Sequence, residues 1–573
     1  MKTRSLHTPS TRRFPCLPLL TLALSALQLF SPSAFSQTAH PPKAAFRVLH
    51  SNDVTNLSRF HGKGPLEDGH IRASVDEING FDIDVHMIEV WGWVPWWQSD
   101  ILPIAGQAAW KKSKDIKLDT REAYTLNGGD LLRVFVEQCR KSGQSPFVSF
   151  RMNDQHHLHP LREPAGRKLA DIPEAEISRK AAVCPFYVDN PQWRIGDDGT
   201  ANLMGQLSMD FAVPQVREYR LKQIRELVNK YDIDGLQLDF LRHRWLFNQG
   251  NTKSRQRVQI ITGMIRQVRE ILDAKGARAG RHLWLALRIP AWPELYNEMG
   301  IDPPALANEA GVDIINASTD YNTDPQAPVA QLRKMLPARV ALHVEMHYTC
   351  ASGPNEKLPG GKTSRASRRL CTPLQLLTTT YLARQRGADG MSTFNFQYYR
   401  GVHTGEGVFG TPAESPYDVF RKTSDLDWLA RLPQHYIASG NNNGMRPKNR
   451  QFPVTFPAGE WKKVFMDMTP PAGGWRADGK MRIQARASLD GSTWGARLNG
   501  VWLQPVNNVA ESFPNPYPDA QGTPSEYRAW LVPAALLKDG ENIFEISYEG
   551  KAKSMSLYFM DVALPGPASL ASQ

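Results

Sequence analysis

The sequence is poor in cysteine, in long apolar runs and in clustered basic residues. Only five of its 573 residues are cysteine, and no Cys-x-x-Cys occurs, which argues against a thiolate zinc site. No stretch after residue 36 approaches the ~20 apolar residues of a membrane span. The net charge is +11, but the Lys and Arg residues are scattered, without the basic stripe that nucleic-acid binding needs. An acidic glycan is at least as good a partner for this charge as a nucleic acid. The alternative is that the basic surface binds no partner and only keeps the protein soluble.

The first 36 residues have the order of a secretory signal. A basic start is followed by the apolar run Cys16–Phe30 and by small residues near Ser36. We therefore expect cleavage near Ser36 and an exported protein, periplasmic or extracellular. In an oxidising compartment Cys350 and Cys371 are the better candidates for a disulfide, because they bracket one Gly/Pro/Lys-rich loop. Free buried thiols are the alternative.

Short β-type runs alternate with helical segments over the first three quarters of the chain, which predicts βαβ units and a parallel sheet. Two amphipathic stripes, within Gln215–Lys230 and Ser254–Lys275, flank the fourth run. Eight runs are present, the number that closes a (β/α)8 TIM barrel. They are residues 46–53, 83–90, 146–153, 233–240, 282–289, 312–318, 340–346 and 387–395.

After Trp428 the pattern changes to short alternating runs, which predict an all-β sandwich, generically similar to a jelly roll. A structural role and sugar binding are both open for this part. The Gly/Asn cluster 440–444 reads as a linker, so we expect barrel and sandwich to be separable. The predicted organisation is a signal over 1–36, a linker over 37–45, a barrel over 46–430, a linker over 431–450 and a sandwich over 451–573.

Two carboxylates are predicted to converge at the carboxyl-end rim of this α/β barrel. Strand alternation turns Asp239 inward at the end of the fourth strand and Glu345 inward at the end of the seventh. A carboxylate pair is what glycosidic cleavage needs. The alternative is that each pairs with an arginine, for which Arg151 and Arg288 are available on strands three and five. The carboxylate farther from an arginine is the predicted acid, because a guanidinium favours the charged form.

Polar and aromatic residues that follow the strands are the candidates for substrate binding. Arg151 and its neighbours suit sugar hydroxyls, carboxylates or sulfates, and the Trp-rich segment after the second strand suits stacking on pyranose faces. His156, His157 and His159 lack metal-ligand spacing, so neither a metal nor another cofactor is predicted. The candidates are Asn52, Asp53, Trp93, Trp96, Trp97, Arg151, Asn153, Asp154, His157, Arg242, Arg288, Asp320, Tyr321 and Asn395.

The segments Met209–Leu221 and Val228–Asp239 resemble the secreted glycosyl-hydrolase-like TIM-barrel family of bacteria, with a family-10-like glycosyl hydrolase domain. That family has a D-P-x-x-P-x-V-R phrase before a helix and then Y-x-V-D-G-I-x-x-D. Here Phe211 stands in place of the first proline. The resemblance implies a barrel that acts on sugars, and it carries over Asp239 and, more loosely, Asp234-Gly235. Related barrel glycosidases keep a nucleophile at the end of strand seven, and many place Glu on strand four, so retention or inversion stays open.

These observations predict an exported glycoside hydrolase that cleaves a polysaccharide or oligosaccharide, either neutral or acidic. Two alternatives remain. One is a non-catalytic glycan-binding protein on the same barrel. The other is a polysaccharide lyase that uses Arg151, His157 and Tyr321.

Overall fold

The eight predicted strands form a closed parallel barrel in the computed structural model. The structure describes residues 42–164, 166–352, 356–357, 363–364, 368–400, 415–439, 452, 454–485, 487–517 and 522–567. The predicted signal and the 440–444 cluster lie outside these residues. The barrel strands are β1 Val48–Asn52, β2 Val85–Val90, β3 Ser145–Arg151, β4 Gly235–Asp239, β5 Trp284–Pro290, β6 Ile314–Ser318, β7 Ala341–His347 and β8 Gly390–Phe394. Each pairs in parallel with the next, and β8 closes on β1.

Helices connect the strands, and both amphipathic segments predicted beside β4 are present. Pro214–Lys230 begins at a proline, whose missing N–H is not needed in a first turn. Ser254–Ala279 ends before Gly280, which has a φ of 66°. None of the helices within the described ranges is both long and apolar enough to cross a membrane. The other α-helices of six or more residues in these ranges are Asp68–Asp76, Ile104–Ser113, Thr120–Leu126, Leu131–Lys141, Glu174–Lys180, Pro303–Asn308, Val329–Met335 and Pro373–Gln385.

The barrel interior changes from apolar to polar towards the carboxyl ends of its strands. At the amino-terminal end Leu49, Val85 and Phe147 share a small apolar cluster. A Cβ on Gly235 would lie 2.4 Å from the Phe147 ring, so only glycine fits beside that ring. A hydrogen-bonded chain of Ser149, Gln237, Asn316 and Ser392 crosses the middle of the barrel. Charged side chains fill the carboxyl-terminal end and form the candidate site.

The C-terminal region is a β-sandwich of two antiparallel sheets. The strands are β9 Gln434–Ser439, β10 Val454–Pro457, β11 Trp461–Met468, β12 Gly479–Ala485, β13 Thr493–Leu498, β14 Val501–Trp502, β15 Pro505–Val506, β16 Tyr527–Val532, β17 Gly540–Glu549 and β18 Ser554–Leu564. One sheet has the order β9-β18-β12-β16-β15, with β10 also on β18, and the other has the order β11-β17-β13-β14. Apolar side chains from both sheets share one core.

Two sequence expectations are corrected by the fold. Strand β9 lies inside the segment predicted as a linker and pairs with β18, so the sandwich begins at Gln434 rather than at residue 451. Strand β7 continues two residues beyond Glu345 and ends at His347. Of the two alternatives left open for Cys350 and Cys371, the structure has free buried thiols, and the Cys350 thiol donates to the Leu370 carbonyl at 3.6 Å. Their segments are joined by a short antiparallel pair, Thr349–Ser352 with Arg368–Leu370.

Barrel and sandwich contact each other through polar groups that are buried or partly buried. The Arg386 guanidinium lies 2.7 Å from an Asp467 oxygen. Buried Arg369, on the barrel side, donates to the Gln484 amide oxygen at 3.2 Å and to the Tyr527 hydroxyl at 2.9 Å. Residues 42–573 belong to one compact unit. These contacts argue against the separability expected from the linker cluster, because removing the sandwich leaves Arg369 without these partners.

Candidate active site

Six charged side chains meet inside the carboxyl-terminal end of the barrel, and we call them the charged layer. They come from β2, β3, β4, β5 and β7 and from the residue after β1, and alternation turns each of them inward. None is more than 5% exposed. Buried charges are costly unless they are paired and hydrogen-bonded, so this concentration calls for a functional reason. The members are Asp53, Glu89, Arg151, Asp239, Arg288 and Glu345.

Arg288 lies between the two carboxylates that the sequence predicts as a catalytic pair. Its Nε and Nη2 lie 2.6 and 2.7 Å from the two Glu345 oxygens. Its Nη1 lies 3.1 and 3.0 Å from the Asp239 oxygens. Since these carboxylates bind opposite edges of one planar guanidinium, their carboxyl carbons are about 8 Å apart. That separation is in the range typical of inverting glycosidases. However, the Arg288 guanidinium fills the space between the two carboxylates. This arrangement is the alternative interpretation of the sequence, in which each carboxylate pairs with an arginine.

Asp239 is held as an acceptor of several hydrogen bonds. Its Oδ1 accepts the backbone N–H groups of Leu241 at 2.9 Å and Arg242 at 3.0 Å, besides the bond from Arg288. Its Oδ2 lies 4.0 Å from the Arg151 Nε, a buried atom that has no hydrogen-bond partner among the described residues. All these neighbours are donors, so the arrangement suits an ionised carboxylate in a fixed orientation.

Glu89 and Asp53 share the Arg151 guanidinium but have different pKa values. Burial raises the pKa of Glu89 to about 7, although the charge of Arg151 opposes that rise. The Glu89 carboxyl contacts the Arg151 guanidinium and accepts a hydrogen bond from the Ser51 hydroxyl at 2.6 Å. Burial also acts to raise the pKa of Asp53, but Arg151 and the bonds from Thr55 lower it to about 2. Two acids on one guanidinium therefore differ in protonation at neutral pH.

The His-rich exit of β3 folds over the charged layer. His156 Nδ1 lies 2.7 Å from Asp154 Oδ2, and Arg242 Nη2 lies 3.1 Å from His156 Nε2. The Gln155 backbone N–H donates to His243 Nδ1 at 3.1 Å. Ligand-type atoms of Asp154, His156 and His243 lie within 4.8 Å of one another. The hydrogen bonds already use these atoms and the arginines add positive charge, so this geometry favours loop positioning over cation binding.

Half-buried side chains form the rim above the layer. The Trp91 ring lies 5.0 Å from the His156 ring, and the Arg242 guanidinium lies 5.0 Å from the Tyr321 ring. Within the described residues no carboxylate pairs with Arg162 or Arg242, and Arg242 Nε is buried without a partner. Surrounding protein and the charge of Arg242 lower the pKa of Arg162. Two neighbouring guanidinium groups without a counter-ion in these ranges favour an anionic ligand group.

The three predicted tryptophans are buried instead of lining the rim. Trp93 donates to the Asp154 carbonyl at 3.1 Å and lies under the Arg220 guanidinium, 3.9 Å from the ring centre. Trp97 donates to Glu226 at 2.7 Å. Trp96 lies edge-on to Trp91, with ring centres 4.8 Å apart. The partly exposed Trp91, which the prediction omitted, is the member of this segment available for stacking.

Other predicted residues hold the loops. Asn52 faces the helices and bonds to His86 at 3.2 Å, and Asn153 donates to the Met209 and Trp245 carbonyls at 2.9 and 2.6 Å. The His157 ring packs edge-on against Tyr187, and burial lowers the pKa of His157 to about 3. Asp320 follows β6 and Asn395 follows β8, both with a left-handed backbone. Of the predicted residues, the structure brings together Asp53, Arg151, Asp154, Asp239, Arg242, Arg288, Tyr321 and Glu345. The candidate site also contains four residues that the sequence prediction did not include, which are Glu89, Trp91, Arg162 and His243.

No family model and no curated protein matches this chain. Among solved structures, a Paenibacillus sp. cycloisomaltooligosaccharide glucanotransferase is 11% identical over 91% of this chain and 57% of its own, with a TM-score of 0.31. An α-L-fucosidase of Paenibacillus thiaminolyticus is 13% identical over 88% and 97%, with a TM-score of 0.34. A GH138 enzyme targeting pectin rhamnogalacturonan II is 11% identical over 68% and 39%, with a TM-score of 0.38. This chain thus spans little over half of the first protein. The fold class, a (β/α)8 barrel joined to a β-sandwich, is taken from the strand pairing itself.

Proposed function

We propose that the protein is an exported glycoside hydrolase that cleaves an acidic polysaccharide or oligosaccharide in the charged layer. The observation that carries the proposal is geometric: the Glu89 carboxyl contacts the Arg151 guanidinium, and the hydrogen-bonded carboxylate of Asp239 lies 4.0 Å from Nε of the same guanidinium. Both lie inside the carboxyl end of a barrel, where barrel enzymes do their chemistry. Glycosidic cleavage needs one carboxyl group to protonate the departing oxygen and one carboxylate to attack or to activate water.

The proposal gives the charged groups different roles. Asp239 is the ionised carboxylate, as nucleophile or general base, because its neighbours are hydrogen-bond donors. Glu89 is the general acid, since burial raises its pKa to about 7 against the opposing charge of Arg151, which leaves about half of it protonated at neutral pH. Arg288 and Glu345 position Asp239. The Asp239–Glu345 pair predicted from sequence stays the competing assignment, and it requires Arg288 to leave the gap.

The rim supports an acidic substrate. Arg162 and Arg242 have no carboxylate partner among the described residues, and Trp91 offers a half-buried aromatic ring on the same rim. A guanidinium pair binds a uronate carboxylate or a sulfate, and an indole stacks on the apolar face of a pyranose. The resemblance to the secreted glycosyl-hydrolase-like barrels agrees with this proposal.

The test is a digestion screen with the purified full chain on neutral, uronate-containing and sulfated polysaccharides. We expect new reducing ends from an acidic glycan, no rise in near-ultraviolet absorbance, and loss of turnover by orders of magnitude in Asp239→Asn. Asp427→Asn, an equal change at an exposed position, is the control. Unsaturated products that absorb in the near ultraviolet would identify a lyase, and glycan binding without any products would identify a binding protein.

A further inference from the structure

The sandwich carries an exposed aromatic patch on the outer face of its four-stranded sheet. Trp502 is 59% exposed and Trp461 is 38% exposed, whereas most large apolar side chains of the described residues are buried. The two indole rings lie 5.1 Å apart at 78°, so they form a corner. The Arg497 guanidinium lies 4.3 Å from the Trp461 ring centre and 4.4 Å from the Trp502 ring centre. This corner belongs to β11, β13 and β14 and is not part of the charged layer.

The floor of the corner is glycine. A Cβ on Gly495 would lie 3.1 Å from the Trp502 ring, 3.2 Å from the Trp461 ring and 2.7 Å from the Ser547 hydroxyl. Glycine inside a strand weakens that strand, so its presence here serves the seating of the two rings. Arg497 Nε is buried and has no hydrogen-bond partner in the described part of the chain. One guanidinium and two indole rings thus pack together on one small surface.

We propose that this corner is a second glycan-binding site, which stacks a pyranose ring on the more exposed Trp502, with Trp461 against the edge of that ring, and binds its hydroxyl or carboxylate groups through Arg497. The exposed parts of the two indoles and of Phe465, which is 37% exposed on the same face of β11, amount to roughly 300 Å². A stable interface with a second copy needs about 800 Å² from each partner, so the patch is too small for a dimer and fits one or two sugar rings. An amphipathic ligand with apolar faces and polar edges matches the corner, and pyranose rings have that character.

The experiment is affinity electrophoresis of the full chain in gels that contain hydroxyethyl cellulose, xylan, polygalacturonate or alginate. We expect at least one polysaccharide to retard the protein, and Trp502→Ala and Trp461→Ala to weaken that binding at least tenfold. Trp428→Ala removes a half-buried tryptophan at the end of the barrel and is the matched control. Because gel retardation needs no turnover, this result is independent of hydrolysis.

Thermal melts accompany each variant, and Arg497→Gln tests the corner without removing an indole. The proposal is overturned if no gel retards the wild type, or if the corner variants and Trp428→Ala migrate alike. It is also overturned if sedimentation shows a dimer that Trp502→Ala dissociates, because the patch would then join two copies. Retardation without any detectable hydrolysis would contradict the proposed function and leave this inference standing.

Discussion

The Glu89→Gln substitution removes a carboxyl group that keeps its proton close to neutral pH. Glutamine has nearly the same shape and no charge, so it mimics the protonated acid at every pH. In the wild type the pKa of Glu89 is raised by burial to about 7 from an ordinary value of 4.5. The native state therefore binds more protons than the unfolded chain between these two values, and its stability falls as pH rises through that window.

The size of the effect follows from the shift. At high pH an ionised, buried Glu89 costs about 3 kcal/mol of folding free energy, at 1.36 kcal/mol for each pKa unit. Part of this cost is already present at about pH 5. The difference in the free energy of unfolding between wild type and variant therefore changes by about 2.5 kcal/mol from about pH 5 to about pH 9. Burial lowers the pKa values of three histidines to between about 3 and about 4, and these are His86, His157 and His343. They make the protein more stable as pH rises, which is opposite to the effect of Glu89. Only the difference between the two proteins isolates Glu89.

The assay is urea denaturation of wild type and Glu89→Gln in parallel buffers from about pH 5 to about pH 9. The variant should gain stability relative to the wild type as pH rises, and it should lose turnover on glycans with poor leaving groups, since it cannot donate a proton. Two stability profiles that stay parallel over this range would refute the assignment of a raised pKa to Glu89, and with it the general-acid role.

Three further predictions concern the rim, the sandwich and the leader. Arg242→Gln and Arg162→Gln should each raise KM for an acidic glycan about tenfold to a hundredfold, because a charged hydrogen bond contributes about 1.5–3 kcal/mol. The control is Arg255→Gln, which changes an exposed arginine on the helix Ser254–Ala279. An unchanged KM in the two rim variants would exclude an anionic subsite. A chain that stops at residue 433 should aggregate in size-exclusion chromatography, because buried Arg369 loses its partners on the sandwich; a monomeric, folded product would contradict this. Mass spectrometry of exported protein should show cleavage near Ser36, and intact Met1 on that material would refute it.

The barrel could be predicted from sequence because its strands are short apolar runs that recur between amphipathic helices. The same alternation placed Asp239 and Glu345 inside the barrel. Strand β9 was missed because its six residues lie beside a Gly/Asn cluster that resembles a linker, and only its pairing with β18 reveals it as a strand.

The site was harder to predict where loops decide orientation. Four tryptophans after β2 are equivalent in sequence, but Arg220 and Glu226 on the helix before β4 hold Trp93 and Trp97 inside the protein. Glu89 had a readable signal, since alternation from Val85 turns it inward one residue before the end of β2. The bridging position of Arg288 depends on side-chain conformations, which strand periodicity does not specify.

The proposed reaction is hydrolysis of a glycosidic bond in the charged layer through Asp239. It is tested by following reducing ends and near-ultraviolet absorbance while wild type and Asp239→Asn digest the acidic glycan found in the screen, with far-ultraviolet circular dichroism to verify folding. We expect saturated fragments from the wild type and, from the folded variant, turnover lower by orders of magnitude. Near-normal release of reducing ends by the variant would remove Asp239 from the reaction and contradict the proposed function.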